Sequence, residues 1–262
     1  MSAAASPTLL EAALRRDRLV VALGLLAVTG LAWVYLAHSA SLMRGHMSMA
    51  MAMPDAAPWS LGETAGLALM WSIMMVAMML PSVTPVILLF AGVTRRRRTQ
   101  GVLAAPVSVF VLGYLLAWTG YAVLAALGQS LLHSAALLSP AMASASPLLG
   151  GALLLLAGVY QWLPVKGACL SHCRSPLGFF TAEWREGVSG ALIMGLRHGS
   201  YCVGCCWALM ALLFVAGVMN LLWVAVIAGF VLAEKVVPNG RFLGRVTGAL
   251  LAGWGLWLIV AG

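Results

Sequence analysis

The chain has 262 residues, of which 63% are hydrophobic and 8% charged, and its net charge is +8; mean hydropathy is +1.00. Soluble domains carry about a quarter charged residues, so the composition excludes one and predicts an all-α, polytopic helical membrane protein with about six to seven transmembrane helices. The basic residues cluster between apolar runs in the positive-inside pattern, which accounts for the charge without a nucleic-acid partner.

The first expected span runs from about 19 to 37, with Arg15, Arg16 and Arg18 holding the N-terminus in the cytoplasm. The apolar run is longer than a signal-peptide core and no small-x-small site follows promptly, so the reading is an uncleaved first span. The stretch 41–58 is then an outer loop rich in Met and His, with His46, Met47, Met49, Met51 and Met53 alternating with small residues. It reads either as an apolar loop dipping into the interface or as a thioether site. Thioethers keep their ligand character in an oxidising compartment, where free thiols are lost to disulfides.

The second span starts near Leu61 and carries Met70, Met74 and Met78 at i, i+4 and i+8, with Met75 and Met79 beside them. Such a stripe is more often core packing than a path for metal transfer. Pro81 and Pro85 are expected to kink or break this helix, and Arg95 to Arg98 anchor its exit. A third span covers about 102 to 127 and a fourth about 148 to 163. The segment Cys169-Leu-Ser-His172-Cys173 follows as an inner loop, its two thiols four residues apart with an imidazole between them, close to a metal-ligand spacing. The placement of 187–199 stays open between a half-helix and the lower part of a long fifth span. A sixth span, about 221 to 237, contains Glu234 and Lys235 near its inner end, where an ionisable pair reads either as functional or as a snorkelling lysine with its partner. The last span covers about 246 to 259. Residues 1–262 read as a single integral membrane domain.

The stretch His198-Gly-Ser-Tyr-Cys202-Val-Gly-Cys205-Cys206-Trp-Ala-Leu-Met210 concentrates the chemistry. On a helix, His198, Cys202 and Cys205 or Cys206 share a face, with Met194 a turn before and Met210 a turn after. Imidazole, thiolate and thioether are soft donors that select Cu(I), zinc or iron–sulfur over magnesium or calcium. Buried cysteine also packs as a small apolar residue, but three in five residues beside a histidine favour a metal or thiol site. The five cysteines are an odd number and lie in the second half, which argues against a disulfide framework.

These motifs resemble those of a bacterial membrane family whose members are described as predicted metal-binding integral membrane proteins. The matching elements are Cys169-Leu-x-x-Cys173-Arg-x-Pro176, the segment from His198 to Met210, Gly217-Val-Met-Asn-Leu221-x-Trp223, Glu234-Lys235, and Ala77-Met-Met-x-Pro-Ser82. The likeness covers about residues 60 to 240. It implies a helical membrane fold and a metal, and leaves both the metal and the activity open.

Thioethers outside and along the second span, with thiols and imidazoles further in, suit Cu(I) captured by weak ligands and passed to tighter ones. The leading expectation is a protein of the bacterial inner membrane that transports Cu(I) or delivers it to a partner. Its core site is His198, Cys202, Cys205 and Cys206, with Cys169, His172 and Cys173 as an inner acceptor and Met74, Met78 and Met79 as the approach. Zinc remains a possible ion. Expected partners are the metal, the bilayer, a copper chaperone or recipient metalloprotein, and a second copy of the chain. The alternatives are a membrane thiol-disulfide oxidoreductase using the Cys202-x-x-Cys205 pair, and a metal or heme assembly factor with His198 as axial ligand. No Walker-type phosphate loop occurs, which makes the chain alone unsuited to ATP-driven pumping.

Overall fold

The computed structural model describes the backbone of residues 9–50, 59–101, 105–139 and 142–261, and side chains from residue 18 onward except those of 44–50. The expected ligands His46, Met47 and Met49 lie outside the described side chains. The architecture is all-helical. Five helices are long and apolar enough to cross a membrane, and a bent pair supplies a sixth crossing if counted as one span.

Helix α1 spans Leu9–Ala50 and continues through residues expected to begin the outer loop. Helix α2 spans Leu61–Thr99, which at 1.5 Å per residue is about 58 Å and exceeds a bilayer core of about 30 Å. It starts in a capping box, in which Ser60 accepts from the Glu63 amide and Glu63 from that of Ser60. Pro81 and Pro85 lie inside α2 without ending it. Hydroxyls crowd this turn: Ser82 Oγ donates to the Met79 carbonyl at 2.8 Å, Tyr114 Oη donates to the same oxygen at 3.3 Å, and Thr84 Oγ1 donates to that of Leu80 at 3.0 Å. Such donors and close neighbours let a membrane helix tolerate proline.

Helix α3 (Val107–Ser134) follows the turn after α2 and packs against α7 (Gly187–Ala211). The two backbones approach at Gly113 and Gly195. A Cβ at Gly195 would fall on the Phe110 carbonyl, and one at Gly113 on that of Leu192. Small residues permit this kind of close helix packing in membranes. The segment 187–199 is thus the lower part of one long helix, which extends as a span to Ala216 through the short α8 (Leu213–Ala216).

The fourth span departs from expectation. Helix α4 (Pro147–Tyr160) is followed by α5 (Pro164–Arg174), bent from it by 65°. The Cys169–Cys173 segment, expected as a loop, is therefore helical and lies along α7. Pro164 opens α5, since its fixed φ and missing N–H suit a first helical turn. Helix α6 (Pro176–Glu183), α9 (Leu221–Val236) and α10 (Gly240–Ala261) complete the set. At 16 residues α9 is shorter than the roughly 20 of a full span.

At the end carrying Arg95 to Arg98, Arg97 pairs with Glu186 and sits 4.5 Å over the Trp184 ring. Hydrogen bonds from Arg97 and then Trp184 hold the exposed Glu186 carboxyl below its usual range.

Candidate metal centre

The centre is built where α2, α5, α7 and α9 converge. Helical periodicity puts Cys202, Cys205 and Cys206 on the buried face of α7, each no more than 2% exposed. Helix α5 then adds Cys173, which is also buried. The sulfurs of Cys173, Cys202 and Cys205 all lie within 4.8 Å of one another, and Cys173 Sγ to Cys205 Sγ is 4.0 Å. A metal–sulfur bond of about 2.3 Å in a trigonal arrangement requires sulfurs about 4.0 Å apart. The three thiols thus need shifts of at most several tenths of an ångström to surround one ion.

Cys206 borders this group, its Sγ donating to the Cys202 carbonyl at 3.0 Å. Its sulfur lies 4.0 Å from Met79 Sδ, so α2 brings a thioether to the edge of the thiol group. Behind Met79, Met78, Met75 and Met74 are buried to 1% or less, and Met70 to 9%, along the same helix. The methionine stripe is therefore interior throughout and ends at the thiols. Met210 is fully buried one turn beyond Cys206.

Lys235 supplies the charge. Its Nζ donates to Cys202 Sγ at 3.0 Å and to Ser82 Oγ at 2.8 Å. Tyr114 Oη lies 3.1 Å from the same sulfur. An ammonium within a helix bundle needs a partner that offers electron density, and here that partner is a sulfur of the thiol group. The adjacent Glu234 turns the other way, accepting from Lys166 Nζ at 2.7 and 2.8 Å. The Glu234–Lys235 doublet is thus two separate pairings and not one.

The remaining expected ligands are distributed as follows. His198 is buried, with Nδ1 unpartnered. Its ring packs edge-on against Phe179 at 4.9 Å and lies 6.3 Å from Phe110. It lies one turn from Cys202 but outside the group of three. His172 stacks on Tyr201 at 4.2 Å, with Nδ1 3.0 Å from the Ala168 carbonyl oxygen. Cys169 is half-buried and packs over Gly204. The expected inner acceptor therefore divides, with Cys173 joining the α7 thiols while Cys169 and His172 lie apart. Tyr114, Ser82 and the role of Lys235 were missed by sequence reasoning. The Ser82 and Lys235 positions sit inside quoted motifs, but Tyr114 carries no local signal.

The arrangement offers soft sulfur donors, a thioether at their edge and a fixed positive charge. This donor chemistry fits a soft, low-valent metal cation. No curated relative and no solved structure matches the chain. A family model described as PpoB2, a copper chaperone, matches residues 68–258, which include α2 from its methionine stripe onward and all five cysteines. With well over half of its length covered by that match, the chain belongs to the PpoB2 copper chaperone family.

Proposed function

We propose that this protein is a membrane copper chaperone that binds Cu(I) as cargo on Cys173, Cys202 and Cys205 and hands it to a recipient protein. The observation that carries the reading is the convergence of these three thiols from two helices, with the α2 methionine stripe ending at their edge. Three sulfurs suit Cu(I), whereas structural zinc is nearly always four-coordinate. Lys235 Nζ already donates to Cys202 Sγ, and its charge disfavours a divalent ion relative to a monovalent one.

Met74, Met78 and Met79 form the approach, with Cys206 at the junction. Weak thioether ligands followed by thiolates give a downhill order of affinity. His198, one turn along α7, packs among aromatic rings and is left out of this ligand set. By the positive-inside rule, Arg95 to Arg98 lie in the cytoplasm, and the membrane is the bacterial inner membrane. Delivery is favoured over transmembrane transport by the chaperone description of the family.

The test is elemental analysis of detergent-purified protein prepared anaerobically with copper, beside a Cys173→Ser/Cys202→Ser/Cys205→Ser variant. The expected result is near-stoichiometric copper that the variant lacks. Zinc in its place, or equal copper in both proteins, would sink the assignment.

A further inference from the structure

A second polar assembly lies where α4 turns into α5 against α9 and α10. Lys166 and Glu234, 3% and 1% exposed, form an ion pair there, and Lys166 Nζ also donates to Gln161 Oε1. A cavity of about 340 Å³ opens beside them, lined by Gln161, Trp162, Lys166, Glu234, Arg241 and Arg245 among others.

The hydrogen-bond inventory of this cavity is one-sided. Both Glu234 oxygens and Gln161 Oε1 already accept from Lys166. Gln161 is 7% exposed, and its Nε2 is buried without a partner. Arg241 and Arg245 line the same space and form no ion pair among the described residues. Each guanidinium carries five donors and no acceptor. What remains unsatisfied is therefore donor capacity, and the formal charge of Lys166, Arg241 and Arg245 exceeds that of Glu234. Water could accept from Gln161, but it would not balance the charge. An anion with several acceptor oxygens does both, and guanidinium matches phosphate geometry in particular.

The surroundings narrow the anion's source. Trp162, Leu163 and Val165 beside the cavity are 58%, 42% and 59% exposed, and the Arg245 guanidinium lies 6.0 Å from the Trp162 ring centroid. Exposed apolar side chains next to an aromatic–arginine pair are the setting of a bilayer interface, where basic pockets between helices hold lipid headgroups. We propose that this cavity binds the phosphate headgroup of an anionic phospholipid, with its acyl chains along the Trp162–Val165 surface.

The experiment uses the full-length protein, delipidated in a zwitterionic detergent. Lipid retention is read by native mass spectrometry and stabilisation by thermal unfolding. The probes are phosphatidylglycerol, phosphatidylcholine and, separately, inorganic phosphate. Phosphatidylglycerol is expected to be retained and to raise Tm, and the other two are not. Arg241→Gln/Arg245→Gln, at two exposed positions, is expected to weaken phosphatidylglycerol binding about thirtyfold, the effect of two cations near a lipid surface, with copper content unchanged. Gln161→Glu keeps an acceptor for Lys166 but removes the buried donor, and is expected to weaken binding as well. Equal affinity for both lipids, or unchanged affinity in the arginine double variant, overturns the proposal. Equal stabilisation by inorganic phosphate overturns the lipid as the source.

Discussion

Lys235 Nζ donates to Cys202 Sγ at 3.0 Å, joining the last turn of α9 to the thiol group on α7. Three thiolates around one Cu(I) leave a net negative charge in a low-dielectric interior, and this ammonium offsets part of it. Lys235→Met is therefore expected to weaken Cu(I) binding by about 10- to 100-fold, the usual effect of losing an outer partner of a metal ligand. Lys235→Arg keeps the charge and should retain more of the affinity. Competition against a chromophoric Cu(I) chelator measures both, and wild-type affinity in Lys235→Met would refute the role.

The thiols are not equivalent. Cys173→Ser, Cys202→Ser and Cys205→Ser should each reduce bound copper sharply, because each removes a member of the close group. Cys169→Ser should leave copper content near that of the wild type, since Cys169 packs over Gly204 instead. Copper-to-protein ratios across the four variants decide the matter. If Cys169→Ser lost copper as fully as Cys173→Ser, the division of the α5 thiols would be wrong.

Oxidation gives an independent check on the same geometry. Cys173 Sγ and Cys205 Sγ are 4.0 Å apart, close enough for a disulfide after a modest rotation of either side chain. A mild thiol oxidant applied to the metal-free protein should link these two, and copper loaded beforehand should protect them. Peptide mapping identifies the pair. A Cys202–Cys205 link formed in preference, in protein that binds no metal, would move the reading to thiol-disulfide exchange.

The Lys166–Glu234 pair should behave as a buried ion pair. Removing one partner leaves an uncompensated charge, so Lys166→Met or Glu234→Leu alone is expected to cost about 3–5 kcal/mol, with the double replacement costing less than the sum. Thermal unfolding in one detergent reads this as a non-additive cycle. Additive losses would mean the two charges are not coupled.

The α3–α7 crossing depends on absent side chains. Gly195→Ala places a methyl on the Phe110 carbonyl and is expected to destabilise by about 1–3 kcal/mol, as overpacking does. It should also lower copper content, because α7 carries the thiols and Tyr114 on α3 faces Cys202. Gly24→Ala, where nothing lies within 4 Å, is the control. Equal Tm for the two variants would argue against a close crossing.

Much of this protein was legible from the chain alone. Composition determined the membrane-helix architecture, because a sequence this apolar has few ways to satisfy its backbone in lipid other than as helices. The 3.6-residue period placed Cys202, Cys205 and Cys206 on one face of α7 and the methionines on one side of α2. The prolines of α2 did not end that helix, because neighbouring hydroxyl donors satisfy backbone groups around them.

Tertiary structure alone decided which donors meet. Spacing grouped His198 with the cysteines and Cys173 with Cys169 and His172. The fold instead directs His198 among aromatic rings, separates Cys173 from its neighbours in sequence and gives it to the α7 thiols. It also divides Glu234 from Lys235. Periodicity specifies the face on which a side chain stands, whereas its partner depends on the helix packed against that face. Here the bend at Pro164, which lays α5 along α7, fixes that partner for Cys173.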